Sequence, residues 1–293
     1  MRNTLCILLG AAGLWLGFPN PLIQLPLLAL AYPLALLLLG LGAPGRWPAF
    51  RLGWLTGIVG ASACLYWLAL PVHEYGQLPW VLAVPCAVAI GAYVGLYGGL
   101  FCLLVHLTRD RLGPFRRGLF LGCAWLLLEV LRGVFLTGFP WLALSAAFVP
   151  WPVAIQGVAL VGAYGLSGLL VAVVCWTMGA IAPECGPRCS RVRRSVSPSS
   201  LAQTLACALG ASLVTFGLVG HGAYILSRGL PKDGESFRVA LVQGNIDQDQ
   251  KWEAAFQRST VDRYLALSKD AVTAGHPDLI VWPETAMPFY FQE

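Results

Sequence analysis

Long apolar runs separated by short polar stretches fill most of the first 230 positions. About 20 apolar residues cross a bilayer core of roughly 30 Å. Seven runs reach or approach that length, at about 4–18, 22–41, 52–70, 80–107, 118–136, 152–182 and 203–227. They predict a multi-pass α-helical membrane domain of about seven helices. The first run is short, and the fourth and sixth are long enough to tilt or to include interfacial turns. Gly and Pro recur inside them, which membrane helices tolerate better than soluble ones. "GAYVGLYGGL" (91–100) and "GAYGLSGLL" (162–170) carry small residues at the spacing that lets helices approach closely.

From residue 237 the pattern changes. "FRVALVQGN" (237–245) is a short strand-like run. Trp252, Phe256 and Thr260 then recur at four-residue steps, followed by Tyr264, Leu267 and Val272. That spacing predicts an amphipathic helix from about 252 to 274, with Gly275 and Pro277 as stop signals. "DLIVWPET" (278–285) reads as a second strand. Strand, helix, strand is the start of an α/β domain with a parallel sheet. Two strands and one helix bury too little surface to stand alone. The expected organisation is therefore a transmembrane domain over 1–230 and the N-terminal part of a larger, here incomplete, α/β domain over 231–293.

Composition sharpens this division. Only 11% of the residues are charged, against about a quarter in ordinary soluble domains. Ten of the 14 acidic residues lie at Asp233 or later, leaving Glu74, Asp110, Glu129 and Glu184 before it. The net charge of +5 would suit nucleic acid, but the arginines sit in short loops with no basic-aromatic surface, so no nucleic-acid partner is expected. Arg2, Arg46, Arg51, Arg109, Arg111, Arg116, Arg117, Arg188, Arg191, Arg193 and Arg194 fall on one side of the predicted helices. The opposite loops, 19–21, 71–79 and 137–152, contain neither Lys nor Arg. The positive-inside rule then places the N-terminus in the cytoplasm and the chain after about 228 outside, in the periplasm of a Gram-negative inner membrane. The N-terminal stretch is like a signal peptide, but "GLWLGF" lacks a small-x-small cleavage pattern, so it reads as a retained first helix.

Candidate chemistry is sparse. Seven of the nine cysteines lie in apolar segments, where a free thiol behaves as a small hydrophobe. Cys185 and Cys189 form a C-x3-C pair with no second pair or His cluster, so neither a metal nor any other cofactor is expected. Glu129 and Arg132 sit three apart within an apolar run. They are either a functional intramembrane charge or a self-neutralising i,i+3 pair. Glu284 follows the second predicted strand. The C-terminal edge of a parallel sheet is where ligands bind, and a carboxylate fixed there can act as a general base. An ordinary surface glutamate is the alternative.

"FRVALVQGNID", a helix and "PDLIVWPETAMP" together resemble the start of the nitrilase (carbon–nitrogen hydrolase) superfamily. "FPNPLIQLPLLALAYPLAL", "GWLTGIVGASACLYWL", "EVLRGVFLTGFPWLALSAAF" and "VQGNIDQDQKW" extend the resemblance to the apolipoprotein N-acyltransferase family. The resemblance implies an αββα nitrilase-like catalytic domain and a Glu-Lys-Cys triad. It also implies transfer of an acyl chain, through a cysteine thioester, from a phospholipid acyl donor to an apolipoprotein's N-terminal cysteine, beside a lipid bilayer. Glu284 matches the family's general base. Trp252 matches a tryptophan of its substrate site, or is the first core anchor of the predicted helix. The loop "TGFPWL" (137–142) either shapes an acyl entrance or caps two helices. The family's Lys and Cys lie downstream of the Glu, whereas Lys251, Lys269 and Cys207 all precede it here, so the chain is expected to be a prematurely ended form, inactive alone. The alternatives are a membrane-tethered amidase of the same superfamily, or a non-catalytic membrane module.

Overall fold

The computed structural model describes residues 1–182, 198–229, 234, 236–247, 252–284 and 286–287. Its contacts divide the chain into two compact units, Met1–Gly229 and Leu230–Glu293.

The first unit is helical. Helix α1, Arg2–Gly17, has 16 residues. At 1.5 Å per residue it is about 24 Å long, less than a bilayer core. The apolar run that follows does not begin as a helix. Asn20 donates through Nδ2 to the Trp15 and Phe18 carbonyls and accepts at Oδ1 from the Leu22 and Ile23 N–H groups. This side-chain turn delays the helix to a 3₁₀ segment, Pro26–Leu30, which runs into α2, Ala31–Gly42. Helix α3, Arg46–Cys64, is followed at a bend of 64° by a 3₁₀ turn and α4, Ala69–Glu74. Next come α5, Trp80–Thr108, α6, Pro114–Val134, and the short α7, Pro152–Ile155. Helices α8, Val158–Ile181, and α9, Pro198–Arg228, complete the unit.

Four helical stretches are long and apolar enough to cross a membrane: Trp80–Thr108, Pro114–Thr137, Val158–Ile181 and Ser200–Arg228. The bent pair Arg46–Cys64 and Tyr66–Glu74 makes a fifth. Among the described residues the seven expected spans therefore resolve into four or five. Hydropathy had merged a turn and short helical pieces with the longer helices at 22–30 and 152–157, and α1 and Pro26–Gly42 are shorter pieces.

Small residues set the helix crossings. A Cβ on Gly57 of α3 would lie 2.5 Å from Gly95 Cα of α5, and one on Gly53 would lie 2.5 Å from the Gly98 carbonyl oxygen. Where α6 crosses α8, a Cβ on Gly122 would meet the Gly168 carbonyl oxygen at 2.7 Å. The interior is filled by Leu36, Phe101, Leu121, Trp125, Leu144 and Val171. The outer surface is apolar as well. Leu201, Leu205, Leu209, Leu213 and Phe216 form an exposed stripe along α9. Such a surface suits lipid, and in water it would mark an aggregation or binding face.

The second unit contains β1, Val239–Leu241, then a 3₁₀ turn at Ala254–Phe256, α10, Gln257–Gly275, and β2, Leu279–Val281. The strands pair in parallel with Val239 opposite Leu279 and Leu241 opposite Val281. Asp278 Oδ2 accepts from the Arg238 N–H, while its own N–H donates to the Arg238 carbonyl, which fixes that register. The α-helix begins at 257 rather than 252 and ends at Gly275, with His276 left-handed at φ 43°. A small core of Val242, Tyr264 and Ala286, flanked by Ile280 and Trp282, holds the helix to the strands.

Candidate functional site at the strand exits

The C-terminal ends of the two strands are fixed over one aromatic pair. Trp282 donates through Nε1 to Ser268 Oγ at 2.9 Å and stacks on Tyr264 with ring centroids 5.2 Å apart. The loop after β1 continues the pairing, the Val242 N–H donating to the Val281 carbonyl. It then passes so close to the helix that a Cβ on Gly244 would lie 2.6 Å from Tyr264 Cζ. Only glycine fits that approach. Asn245 follows in the left-handed region at φ 49°.

Glu284 leaves this frame three positions beyond Val281 and is exposed. The Pro283 carbonyl accepts from the Ala286 N–H at 3.2 Å, closing a turn around it. Trp282 before the turn and buried Ala286 within it pin both flanks. The result is a solvent-facing carboxylate on a short, anchored strand exit, at the edge where α/β sheets display reactive groups. It forms no ion pair among the described residues. Its chemistry is that of a proton acceptor for a group brought within hydrogen-bond reach.

Trp252 lies just ahead of the 3₁₀ turn and is 57% exposed. It is not a core anchor of the helix. The anchors are Thr260 and Tyr264, which are buried. Among the described residues no ring contact or hydrogen bond joins Trp252 to Glu284. Lys269 lies on α10, while Lys251, Cys185 and Cys189 lie outside the described residues. No group of three metal-ligating side chains gathers among the described residues.

In the first unit, Glu129 and Arg132 are 3% and 6% exposed. They are not the ion pair that their spacing allowed. Glu129 Oε1 instead accepts from Trp125 Nε1 and from the Leu144 N–H, each at 2.8 Å. The second donor comes from 15 positions along the chain, so spacing alone gave no sign of it. Between them, 136–142 is an unusual connector, with Leu136, Thr137, Gly138 and Leu142 all at positive φ. A β-branched residue there is a conformational outlier. Trp141 packs against Trp67 and Phe139, with centroids 4.9 and 5.3 Å away.

An apolar multi-helix unit and a small parallel βαβ unit with a carboxylate at its strand exit thus share one chain. The family described as Apolipoprotein N-acyltransferase N-terminal domain matches residues 10–176. The apolipoprotein N-acyltransferase of Geobacter metallireducens is 36% identical over 293 residues, covering 100% of this chain and 53% of the relative. That of Pseudomonas putida is 31% identical over 288 residues, covering 98% of this chain and 52% of the relative. That of Allorhizobium ampelinum is 35% identical over 251 residues, 84% of this chain and 43% of the relative. The chain belongs to the apolipoprotein N-acyltransferase family. It spans about half the length of the curated relatives it matches.

Proposed function

We propose that the chain supplies the membrane part and the opening of the catalytic domain of a phospholipid:apolipoprotein N-acyltransferase, a nitrilase-like enzyme of the bacterial inner membrane. The family match over the full 293 residues carries this reading. In this chemistry a cysteine thiolate attacks the ester carbonyl of a phospholipid, a thioester forms and the lysophospholipid leaves. The α-amine of a diacylglyceryl-modified N-terminal cysteine then attacks the thioester, an amide forms and the thiol is restored. Glu284 is the general base. It takes the thiol proton in the first half, hands it to the departing alkoxide, and takes the amine proton in the second. Its exposed place at an anchored strand exit supports that role. Trp252 is proposed to contact substrate, because an exposed amphipathic ring suits a group that meets lipid.

The Arg-rich loops support a topology with the N-terminus in the cytoplasm and the residues after about 228 in the periplasm. On this reading the second unit, from about 231, is the N-terminal part of the periplasmic catalytic domain.

No cysteine follows Cys207 in these 293 residues, and Cys207 is fully buried on α9. The polypeptide by itself therefore transfers no acyl group. Joined at residue 293 to the remaining segment of the Geobacter metallireducens relative and supplied with phospholipid and a diacylglyceryl-cysteine peptide, it does. Acyl transfer by the 293-residue chain alone, or none by a folded fusion, would overturn the proposal.

A further inference from the structure

One edge of a buried arginine in the first unit is left open among the described residues. Arg132 is 6% exposed, and its Nε and Nη2 have no hydrogen-bond partner among the described residues. These two nitrogens lie along the same side of the guanidinium. Together they make the two-donor fork that takes a carboxylate or phosphate side-on. The fork's charge also has an aromatic neighbour. The Arg132 Cζ lies 5.9 Å from the centroid of the Tyr97 ring, a distance at which the ring face attracts the cation. Tyr97 is itself fixed, its hydroxyl 3.0 Å from that of Tyr93, which reaches the Phe135 carbonyl at 3.3 Å.

Arg132 lines a cavity of about 30 Å³ with Tyr97, Glu129, Leu14, Leu142 and Leu144. One water needs roughly 10–15 Å³, so the cavity has room for the two charged oxygens of such a head but not for an acyl chain. The leucines give the first methylenes behind such a head an apolar wall. Glu129 sets the charge. Its Oε1 is used by Trp125 and Leu144, which holds the side chain still, while its Oε2 has no hydrogen-bond partner among the described residues. The Arg132 guanidinium compensates one negative charge on a ligand, and a further one left uncompensated beside that carboxylate in a low-dielectric site is strongly disfavoured. The site therefore discriminates between monoanions and dianions.

The geometry points to a buried receptor for a monoanionic oxyanion, a carboxylate or phosphodiester, carried at the head of an amphiphile and seated on the Arg132 fork. The site does not rest on the acyl-transfer reading, and its failure would leave that reading intact. The test uses the purified 293-residue chain in an uncharged detergent, with saturable binding read by native mass spectrometry. The probes are decanoate and dihexanoyl phosphatidylglycerol as amphiphilic monoanions, decanol as a neutral analogue and sulfate as a dianion. Both monoanions are expected to bind, and the tighter of the two identifies the source of the head group. Decanol and sulfate are expected to bind at least about tenfold more weakly. Arg132→Lys keeps the charge but loses the fork, and weakens decanoate by about tenfold or more. Glu129→Gln keeps the acceptor for Trp125 and Leu144, removes the charge, and narrows the gap between sulfate and decanoate. Decanol binding as well as decanoate, or no saturable binding of either monoanion, would overturn the proposal. So would a Glu129→Gln chain with the sulfate-to-decanoate ratio unchanged, which decides the matter even where Arg132→Lys fails to fold.

Discussion

Replacing Glu129 with alanine removes the acceptor that ties α6 to the connector beyond it. Two donors, Trp125 Nε1 and the Leu144 N–H, each lose a 2.8 Å bond to a carboxylate that is 3% exposed. In soluble proteins a hydrogen bond to a charged group contributes about 1.5–3 kcal/mol, so two such bonds would suggest about 3–6 kcal/mol. Membrane proteins recover less, about 0.6 kcal/mol on average and up to about 1.7 per bond, because the unfolded chain in a micelle also finds partners. The backbone N–H of Leu144 is a buried donor, which places its loss toward the upper figure. Glu129→Ala is thus expected to destabilise the first unit by about 2–3 kcal/mol, and Glu129→Gln, which keeps a carbonyl acceptor, by less than about 1 kcal/mol. Reversible SDS unfolding in mixed micelles, followed by helical circular dichroism, measures both. If the two variants fall within about 0.5 kcal/mol of each other, the clamp does not hold the connector and the reasoning fails.

Other perturbations follow from the same contacts. Gly57→Val at the α3–α5 crossing, where even a Cβ would lie 2.5 Å from Gly95 Cα, is expected to cost about 1–3 kcal/mol in the same unfolding measurement. Gly244→Ala drives a methyl into the Tyr264 ring and should raise proteolytic cleavage of the second unit while leaving the unfolding of the first unchanged. A cysteine introduced at Lys269 should react with a membrane-impermeant maleimide in intact cells, whereas one at Arg116 should react only after permeabilisation. The opposite pattern would refute the proposed topology.

The sequence made the apolar segments legible because hydrophobicity is local and additive. It could not separate helix from apolar turn, since both have the same composition. Asn20 decides where the second segment becomes helical, through five hydrogen bonds to a chain reversal that no hydropathy window registers. The glycine spacing at 91–100 was readable as packing, and Gly95 and Gly98 do meet α3. Glu129 and Arg132 were visible as charges, but the use of the carboxylate by Leu144 in place of an ion pair depends on where the 136–142 connector turns back. In the second unit the strand–helix–strand order and its stop at Gly275 were legible from period and breakers. The start of the helix was not: the four-residue rhythm from Trp252 extends into residues that form a turn, and the Trp252 ring is exposed. Glu284 was readable as a strand-exit carboxylate because an apolar run ending in Pro-Glu fixes that geometry locally.

The most direct test of the central claim is the acyl-transfer rate of the fusion with the Geobacter metallireducens remainder, compared with the same fusion carrying Glu284→Gln. A positioned general base contributes about 10²–10⁴-fold, so E284Q should lower kcat by at least about 100-fold while the protein stays folded and still binds phospholipid. A folded E284Q fusion that transfers acyl chains within a fewfold of the unsubstituted one would contradict the assignment of Glu284 as the base.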